Sequence, residues 1–589
     1  MPNVPTPGHK LLAQMRAKII CGSRHGAVEI TTHDGRIVQI ERRAKLRTPA
    51  VLIADIPCGR PARKYRLISA FVAVVAAASC SAAASAATPA ELEHEVQELK
   101  VRIAHLEALI TTPHASAVVS AATVAAAPAP AALEQKVRVI ERRLEVKDEE
   151  STAHRLKTPL VSLSDKGLAI TTPDQNFELR ARGYVQIDTR EWLGNNAPDA
   201  TITFLFRRVR PVVEGTVYHD FYYKLMPDFA GSAVTLQDGY AEWRRYPFAR
   251  VAAGKFKSPV GLERLESASE LAWVERGLTN NLIPNRDFGV QVSGDLLGER
   301  LNYAIGIFNG VPDLGSSGAS DTNDDKDFAG RVFAFPFKDW YGPLQGLGVG
   351  VSGTYGKEQF TTSANVVTSN LATYLTPGQS RFFRYRTTGA SATVKTADGK
   401  STIAITVSNA LDSTTVADGD RHRIAPQAYW YWRQFGLLGD YVESAQEVAF
   451  GSHRDILTQK AWSIAGSWVL TGEAASYRSV RPRHNFDPLQ RSWGALELVA
   501  RYGELEIDPS AFDGIKSATN LGTAFADPRQ SARAAFAWGL GLNWYLNNNF
   551  KVNFDYEHTT FTGGGGGTAL APLDRTAERV LMSRFQIAY

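Results

Sequence analysis

Phe536-Ala-Trp-Gly-Leu-Gly-Leu-Asn-Trp-Tyr545 and Phe550-Lys-Val-Asn-Phe-Asp-Tyr-Glu557, separated by the polar Asn547-Asn548-Asn549, decide how this chain is read. In the first run Phe536, Trp538, Leu540, Leu542 and Trp544 alternate with Ala537, Gly539, Gly541 and Asn543. In the second, Phe550, Val552, Phe554 and Tyr556 alternate with Lys551, Asn553, Asp555 and Glu557. A period of two is that of a strand, and three consecutive Asn make a tight polar turn. The stretch predicts a hairpin of long strands with one large apolar face and one polar or tiny face. Leu301/Tyr303/Ile305/Ile307, Trp462/Ile464/Gly466/Trp468/Leu470 and Leu496/Leu498/Ala500/Tyr502 repeat the pattern.

A soluble sandwich would bury the apolar face against a second sheet, with strands of about five or six residues. Here the runs are longer, aromatic residues gather at their ends, and almost no helical pattern intervenes. Short turns such as Thr471-Gly472-Glu473 alternate with Gly/Ser/Asp/Pro-rich loops at 310–327, 508–530 and 560–577. Short turns on one rim and long loops on the other predict an all-β transmembrane barrel, apolar toward lipid and polar toward water. The final Leu581, Ser583, Phe585, Ile587 and Tyr589 alternate with Met582, Arg584 and Gln586. An open edge cannot sit in hydrocarbon, so this last strand is expected to close against the first. Residues 183–589 at roughly 25 per strand and connection give about 16 antiparallel strands.

Upstream the period changes. Leu92, Val96, Leu99, Ile103, Leu106 and Ile110 form a heptad stripe, as do Leu133, Val137, Ile140 and Leu144. These predict coiled-coil segments over 87–110 and 131–150 around an Ala/Pro linker, 111–130, containing Pro113, Pro128 and Pro130. A connector, 151–182, leads into the barrel. Segments this short are marginal alone, and an oligomeric body below would bring the copies together. One amphipathic helix packed on its own chain is the alternative.

Lys64-Tyr65-Arg66, the apolar run Leu67 to Ala78 and Ala84-Ser85-Ala86 have the order of a signal peptide, 64–86. A start just before Lys64 is expected, leaving 1–63 as a non-native extension. The Ala/Ser content makes the run a poor membrane anchor. Cys21, Cys58 and Cys80 all precede the expected cleavage, so the mature chain would hold no cysteine and no thiol chemistry. The net charge of +5 sits in the leader. Residues 1–63 carry 11 Lys/Arg against 4 Asp/Glu, Lys64 and Arg66 add two more cations, and the remainder nets −4. Nothing in that balance suggests nucleic acid.

The expected lumen is rich in arginine. Arg207, Arg208 and Arg210 lie in one run, with Arg244, Arg245, Arg250, Lys255 and Lys257 following. Permanent guanidinium charge suits oxyanions. Acids are interleaved at Glu214, Asp220, Asp238 and Glu242. Adjacent residues face opposite ways in a regular strand, so only one of Arg207 and Arg208 can face the lumen unless a bulge intervenes. The segment 257–285, with Glu263, Arg264, Ser269, Glu270, Glu275 and Arg276, lacks alternation and is expected to fold inward as a constriction.

Phe204-Leu-Phe-Arg-Arg-Val-Arg210, Leu236-Gln-Asp-Gly-Tyr-Ala-Glu-Trp243, Ala253-Gly-Lys-Phe-Lys-Ser-Pro-Val-Gly-Leu-Glu263, Glu275-Arg-Gly-Leu-Thr-Asn280, Leu470-Thr-Gly-Glu-Ala474 and Gly541-Leu-Asn-Trp-Tyr545 resemble the phosphate- and polyphosphate-selective porin family of Gram-negative outer membranes. The resemblance implies a 16-stranded homotrimeric barrel that draws small anions past arginines and a constriction lysine. The paired arginines match at Arg207 and Arg208, and the Glu-Arg pair at Glu275 and Arg276. The family's central lysine falls at Ser269, beside Glu270, and an arginine early in the first strand falls near Tyr184. Losing a cation where screening is weak is expected to weaken phosphate selectivity most.

Other chemistry finds little support. His453-Arg454-Asp455 lacks the glycine loop and metal partners of a kinase. The glycines 563–567 lack the Lys-Ser/Thr of a phosphate cradle and read as a flexible loop. Asp321, Asp324, Asp325 and Asp327 lack the Gly and terminal Glu of an EF-hand. The histidines show no ligand spacing, and no Ser/His/acid set stands out. The expectation is a non-enzymatic porin without cofactor or metal, contacting outer-membrane lipid and lipopolysaccharide, with its coiled coil in the periplasm. A weakly selective small-solute porin and an envelope-tethering barrel are the alternatives.

Overall fold

The computed structural model describes a hairpin at Ala27–His33 and Arg36–Arg43, scattered positions within 135–149, and residues 158–589 apart from 195–201, 319–323, 364–365, 388–389, 396–401 and 408–412. The signal peptide, the first coiled-coil segment and the linker lie outside the described residues, as do Leu133, Val137, Ile140 and Leu144. Described positions of the second segment, among them Arg138, Arg142 and Glu145, are helical. The chain divides into two units, Met1–Ala127 and Pro128–Tyr589. In the first, Ala27–His33 pairs antiparallel with Arg36–Arg43.

The second unit is a closed antiparallel ring of 16 strands. They are β1 (Phe177–Trp192), β2 (Ile202–Val217), β3 (Phe221–Asp228), β4 (Thr235–Tyr246), β5 (Ala249–Phe256), β6 (Asp287–Leu296), β7 (Leu301–Phe308) and β8 (Asp327–Ala334). Then come β9 (Leu347–Gln359), β10 (Val416–Trp432), β11 (Phe435–Phe450), β12 (His453–Val469), β13 (Ala495–Glu506), β14 (Ala532–Tyr545), β15 (Phe550–Gly567) and β16 (Glu578–Ala588). The first strand begins at Phe177, and the preceding hairpin, Leu160–Ser164 with Gly167–Thr171, extends the sheet along its lower half.

Closure joins β16 to β1 from Val580↔Trp192 to Ala588↔Tyr184. Tyr589 and Gly183 exchange backbone hydrogen bonds of 2.8 and 2.9 Å. Arg584 donates twice to Asp188, each bond 2.7 Å, across the same seam. Bidentate charge-assisted bonds in a buried setting are among the stronger ones available, and these pin the register where the ring shuts.

The faces are inverted relative to a soluble protein. Trp538 and Leu540 on β14 are 38% and 56% exposed, and Phe554 on β15 is 44% exposed. Asn543, Asn553, Asp555 and Glu557 between them are buried. Apolar residues thus face outward and polar residues inward, as lipid on one side and water on the other require. Aromatic rings gather at the short-turn rim: Tyr246 stacks on Phe248, and Phe486, Trp493 and Trp544 touch one another. Amphipathic rings settle at such an interface.

Two expectations are corrected. Thr471-Gly472-Glu473 is not a tight hairpin turn but the start of a connection, 470–494, on the short-turn rim. Ala475 and Val480 bury with Val469, Ala495 and Tyr545, so apolar contact draws the segment in. The glycines 563–567 are not a loop but the end of β15. Gly563, Gly564, Gly566 and Gly567 all have φ between 76° and 93°, a bent strand that only glycine forms readily. The loop proper is 568–577, and its Pro572–Asp574 pairs back onto β15.

Candidate functional site

Residues 257–286 leave β5 and run through the interior of the ring. They contain a helical turn, Leu262–Leu265, and a 3-10 turn, Leu278–Leu282. Inward side chains of the wall hold the loop by its backbone. Gln186 on β1 donates to Ala268 O at 2.8 Å, and Gln586 on β16 to Ser269 O at 2.8 Å. Lys551 on β15 donates to Leu271 O at 2.7 Å, and Arg501 on β13 to Glu275 O at 2.7 Å. In return Asp555 accepts from Val274 N, and Asp440 from Glu263 N. At the long-loop rim Val260, Leu278, Leu282 and Ile283 bury with Tyr374, Phe382 and Phe383 of the 360–415 connection and with Phe512 and Phe525. Tyr374 stacks on Phe383 at 5.4 Å, and such aromatic pairs add about 0.5–1.5 kcal/mol beyond burial.

The paired arginines both face this loop because β2 is bulged. Arg208 lies opposite Gln186 while Phe206 lies opposite Ile187, which leaves Arg207 as the extra residue. The bulge re-aims its side chain so that Arg207 and Arg208 line one cavity. Glu275 receives them. Arg190 donates to it at 2.8 Å, Arg207 donates through Nε and, at 3.1 Å, through a second nitrogen, and Arg208 and Arg584 approach to 3.8 and 3.9 Å. Burial alone would raise the Glu275 carboxyl, but Arg207, Arg208 and Arg190 outweigh it and hold it well below the usual carboxylate range.

Most buried cations here have a carboxylate. Arg210 pairs with Asp228 at 2.7 Å, Arg286 with Asp238 at 2.8 Å, and Arg423 with Asp313 at 2.7 Å. Three do not. Lys257 donates only to the carbonyls of Leu265 and Glu266, at 3.2 and 2.8 Å. Arg264 donates to Asn285 Oδ1 and Asn280 O, and Arg276 to the carbonyls of Glu263 and Glu266. Neutral oxygens orient these side chains without cancelling their charge. All three line a cavity of about 260 Å³ whose wall carries seven Lys/Arg against two carboxylates, Asp228 and Glu275.

That cavity is bounded toward the long-loop rim by Leu314, Leu375 and Gln379. It abuts a middle cavity of about 460 Å³ at Lys257, Ala268 and Arg286, which line both. The middle cavity abuts a lower one of about 410 Å³ at Arg182, Tyr184, Glu270 and Arg478. The lower cavity reaches the short-turn rim at Asn547, Asn548 and Asn549. Cavities thus succeed one another along the loop, from beneath Leu314 and Leu375 to the short-turn rim.

Residues 177–586 match the family model described as phosphate-selective porin O and P. The chain belongs to that family. Porin O of Pseudomonas aeruginosa is 21% identical over 405 residues, 66% of this chain and 84% of that one. The solved outer-membrane channel DcaP of Acinetobacter baumannii is 9% identical, covers 70% of this chain and 98% of its own, and aligns with a TM-score of 0.41. An anion-selective porin from Comamonas acidovorans is 11% identical over 70% of this chain and 100% of its own, with a TM-score of 0.39. Residues 14–47, which include the N-terminal hairpin, match a separate model described as an uncharacterised small protein.

The porin places the other sequence-derived residues as follows. Arg244 lies over the Tyr222 ring at 4.2 Å, and Arg250 pairs with Asp295 at 3.0 Å, both beside the short-turn rim and away from the charged cavity. Lys255 donates to Ser317 O in the 309–326 connection. Glu263 turns to the far side of the loop, where it accepts from Gly277 N at 2.9 Å and from Asn280. Ser269 and Glu270 face the lower cavity. The position near Tyr184 has a cation one pleat earlier, at Arg182. Sequence reading missed Arg182, Arg190 and Arg286. The first two continue a polar face, Arg182/Tyr184/Gln186/Asp188/Arg190, that a period of two carried down to Phe177 would reveal. Arg286 stands immediately before a strand and carries no periodic signal.

Burial, then Arg276 and Arg286, pushes the Lys257 ammonium well below the ordinary lysine value. A lysine so depressed loses its charge as pH rises, before an exposed one does. Anion conductance of the porin is therefore expected to fall on raising pH toward the ordinary lysine value. Lys257→Arg, whose guanidinium stays charged, should remove that decline. Single-channel conductance across a pH series with both proteins checks it, and parallel profiles would refute it.

Proposed function

We propose that the porin passes small anions of the phosphate class by passive diffusion through its lumen, with residues 257–286 as the constriction. The observation that carries this is the trio of the buried Arg264 and the half-buried Lys257 and Arg276, interior cations hydrogen-bonded only to neutral oxygens. In a site poor in water their attraction for an entering anion is screened far less than at the surface, and rows of cations lower the entry barrier. The successive cavities favour transport over a purely envelope-tethering role.

A homotrimer fits the uneven wall. β3, β5, β7 and β8 have eight residues each, whereas β10 and β12 have 17. Eight tilted residues rise about 19 Å, short of an apolar band of about 25 Å. That side is better covered by another copy than by lipid. The signal peptide at 64–86 and periplasmic coiled-coil segments at 87–110 and 131–150 belong to the same proposal.

Purified protein in a planar bilayer under a salt gradient tests the reading. Expected are conductance steps in threes, a reversal potential of chloride over potassium selectivity, and reduced chloride current when inorganic phosphate is added. Selective channels that phosphate does not block would leave a general anion porin, and cation selectivity would refute the proposal.

A further inference from the structure

The lower half of the pathway poses a separate question, because there the interior loop presents Ser269 and Glu270 and no cation of its own. The cations that act on Glu270 are Arg478 on the 470–494 connection, Lys551 on β15, Lys257 at the start of the interior loop and Arg182 on β1. Arg182 is already committed to Glu214, with bonds of 2.7 and 2.9 Å. Lys551 is turned into the loop carbonyl of Leu271. Arg478 is different. Its side chain makes no hydrogen bond or ion pair among the described residues, it is exposed, and it lines both the middle and the lower cavity.

Its position is nonetheless defined. Tyr477 stacks on Tyr429 with centroids 5.2 Å apart and donates its hydroxyl to Leu262 O on the interior loop. Val480, two residues beyond Arg478, is buried with Val469, Ala495 and Tyr545. The backbone is therefore anchored on both sides of Arg478. The guanidinium is left without a hydrogen bond at the junction of the two cavities, where the Glu270 carboxylate is the acid that faces it.

We propose that Arg478 is a second selectivity-determining residue, which draws the anion out of the middle cavity and into the vestibule at the short-turn rim. The inference rests on the anion reading above and adds a place where selection continues beyond Lys257. A free charge at a junction through which the ion must pass acts on permeation at low salt, and its influence vanishes when the Debye length shrinks to about 3 Å near 1 M. The trio on the interior loop, enclosed by the barrel wall, should act at both concentrations.

The test compares wild type, Arg478→Ala, Arg478→Lys and Lys257→Ala as full-length proteins in planar bilayers at about 0.1 M and about 1 M potassium chloride. Arg478→Ala is expected to lower chloride conductance about threefold at the lower salt, the weight of one unit charge roughly 6 Å away in water, and to change little at the higher. Arg478→Lys should restore it. Lys257→Ala should lower conductance at both salts. Wild-type low-salt conductance in Arg478→Ala, with Lys257→Ala impaired, overturns the role of Arg478 alone; no effect in either variant overturns the anion reading too. Heat-modifiable gel mobility reports folding, and if Arg478→Ala does not fold, Arg478→Gln carries the same comparison.

Discussion

Glu275→Gln is expected to destabilise the folded barrel by on the order of 3 kcal/mol, the usual cost of leaving buried charges without their partner. Glu275 is the anion onto which Arg190 and Arg207 donate and around which Arg208 and Arg584 gather. The glutamine keeps the shape and one acceptor but removes the charge, so four guanidinium groups face one another with Asp188 and Asp228, already paired with Arg584 and Arg210, as the remaining carboxylates. The interior loop should loosen first, because Glu275 is its ion-pair attachment to β1 and β2. Urea titration followed by tryptophan fluorescence reads the loss, and added inorganic phosphate should recover part of it by occupying the vacated charge. The native carboxyl is held low, so its contribution is complete above the ordinary carboxylate pKa. It is lost as pH falls below that value toward the depressed native one, so wild type should show a steeper acid-dependent decline than the variant, in which the other paired carboxylates still titrate. Equal stability of the two proteins from neutral to acid pH would mean that the arginines do not depend on Glu275.

Lys257→Glu should produce the largest functional change, a drop in chloride conductance of about tenfold or more with selectivity turning toward potassium. A unit charge about 4 Å from a passing ion is worth about 4 kcal/mol at an effective dielectric of 20, so Arg264 and Arg276 can compensate only in part. The new carboxylate would also pair with Arg276 or Arg286, cancelling a second cation at the place where the upper and middle cavities meet. Reversal potential in a salt gradient checks the sign directly. Unchanged chloride selectivity would remove Lys257 from the pathway.

The barrel was legible because lipid and water impose opposite demands on the two faces of each strand. Trp538/Leu540/Leu542 against Gly539/Gly541/Asn543 states both the strand and its inverted burial without reference to any neighbour. The chain end, with its last alternating residues, implied closure, and closure occurs at β16 and β1. The 470–494 connection was not legible from Thr471-Gly472-Glu473, since a turn residue does not reveal whether the next strand starts at once. That was decided by Ala475 and Val480 finding apolar cover beside Tyr545, many residues away. The glycines 563–567 misled for a related reason. They permit a loop, and backbone bonds to the 572–574 segment on one side and to Pro528 and Arg529 on the other hold them as a strand.

The charged site divides along the same line. Residue type and order brought Arg207, Arg208, Lys257, Arg264, Glu275 and Arg276 into view, because charge inside a membrane-spanning fold needs a polar interior. Which of them stay uncompensated is invisible in one dimension. Arg207 turns inward only because a bulge opposite Gln186 and Ile187 breaks the alternation. Arg210 and Arg286 are neutralised by Asp228 and Asp238 on neighbouring strands, while Lys257, Arg264 and Arg276 meet only carbonyl and amide oxygens of the interior loop. Sequence by itself determined the closed barrel, through a period of two under lipid on one side and water on the other. Tertiary structure alone decided where net charge survives, because pairing depends on distances of a few ångströms between residues far apart along the chain.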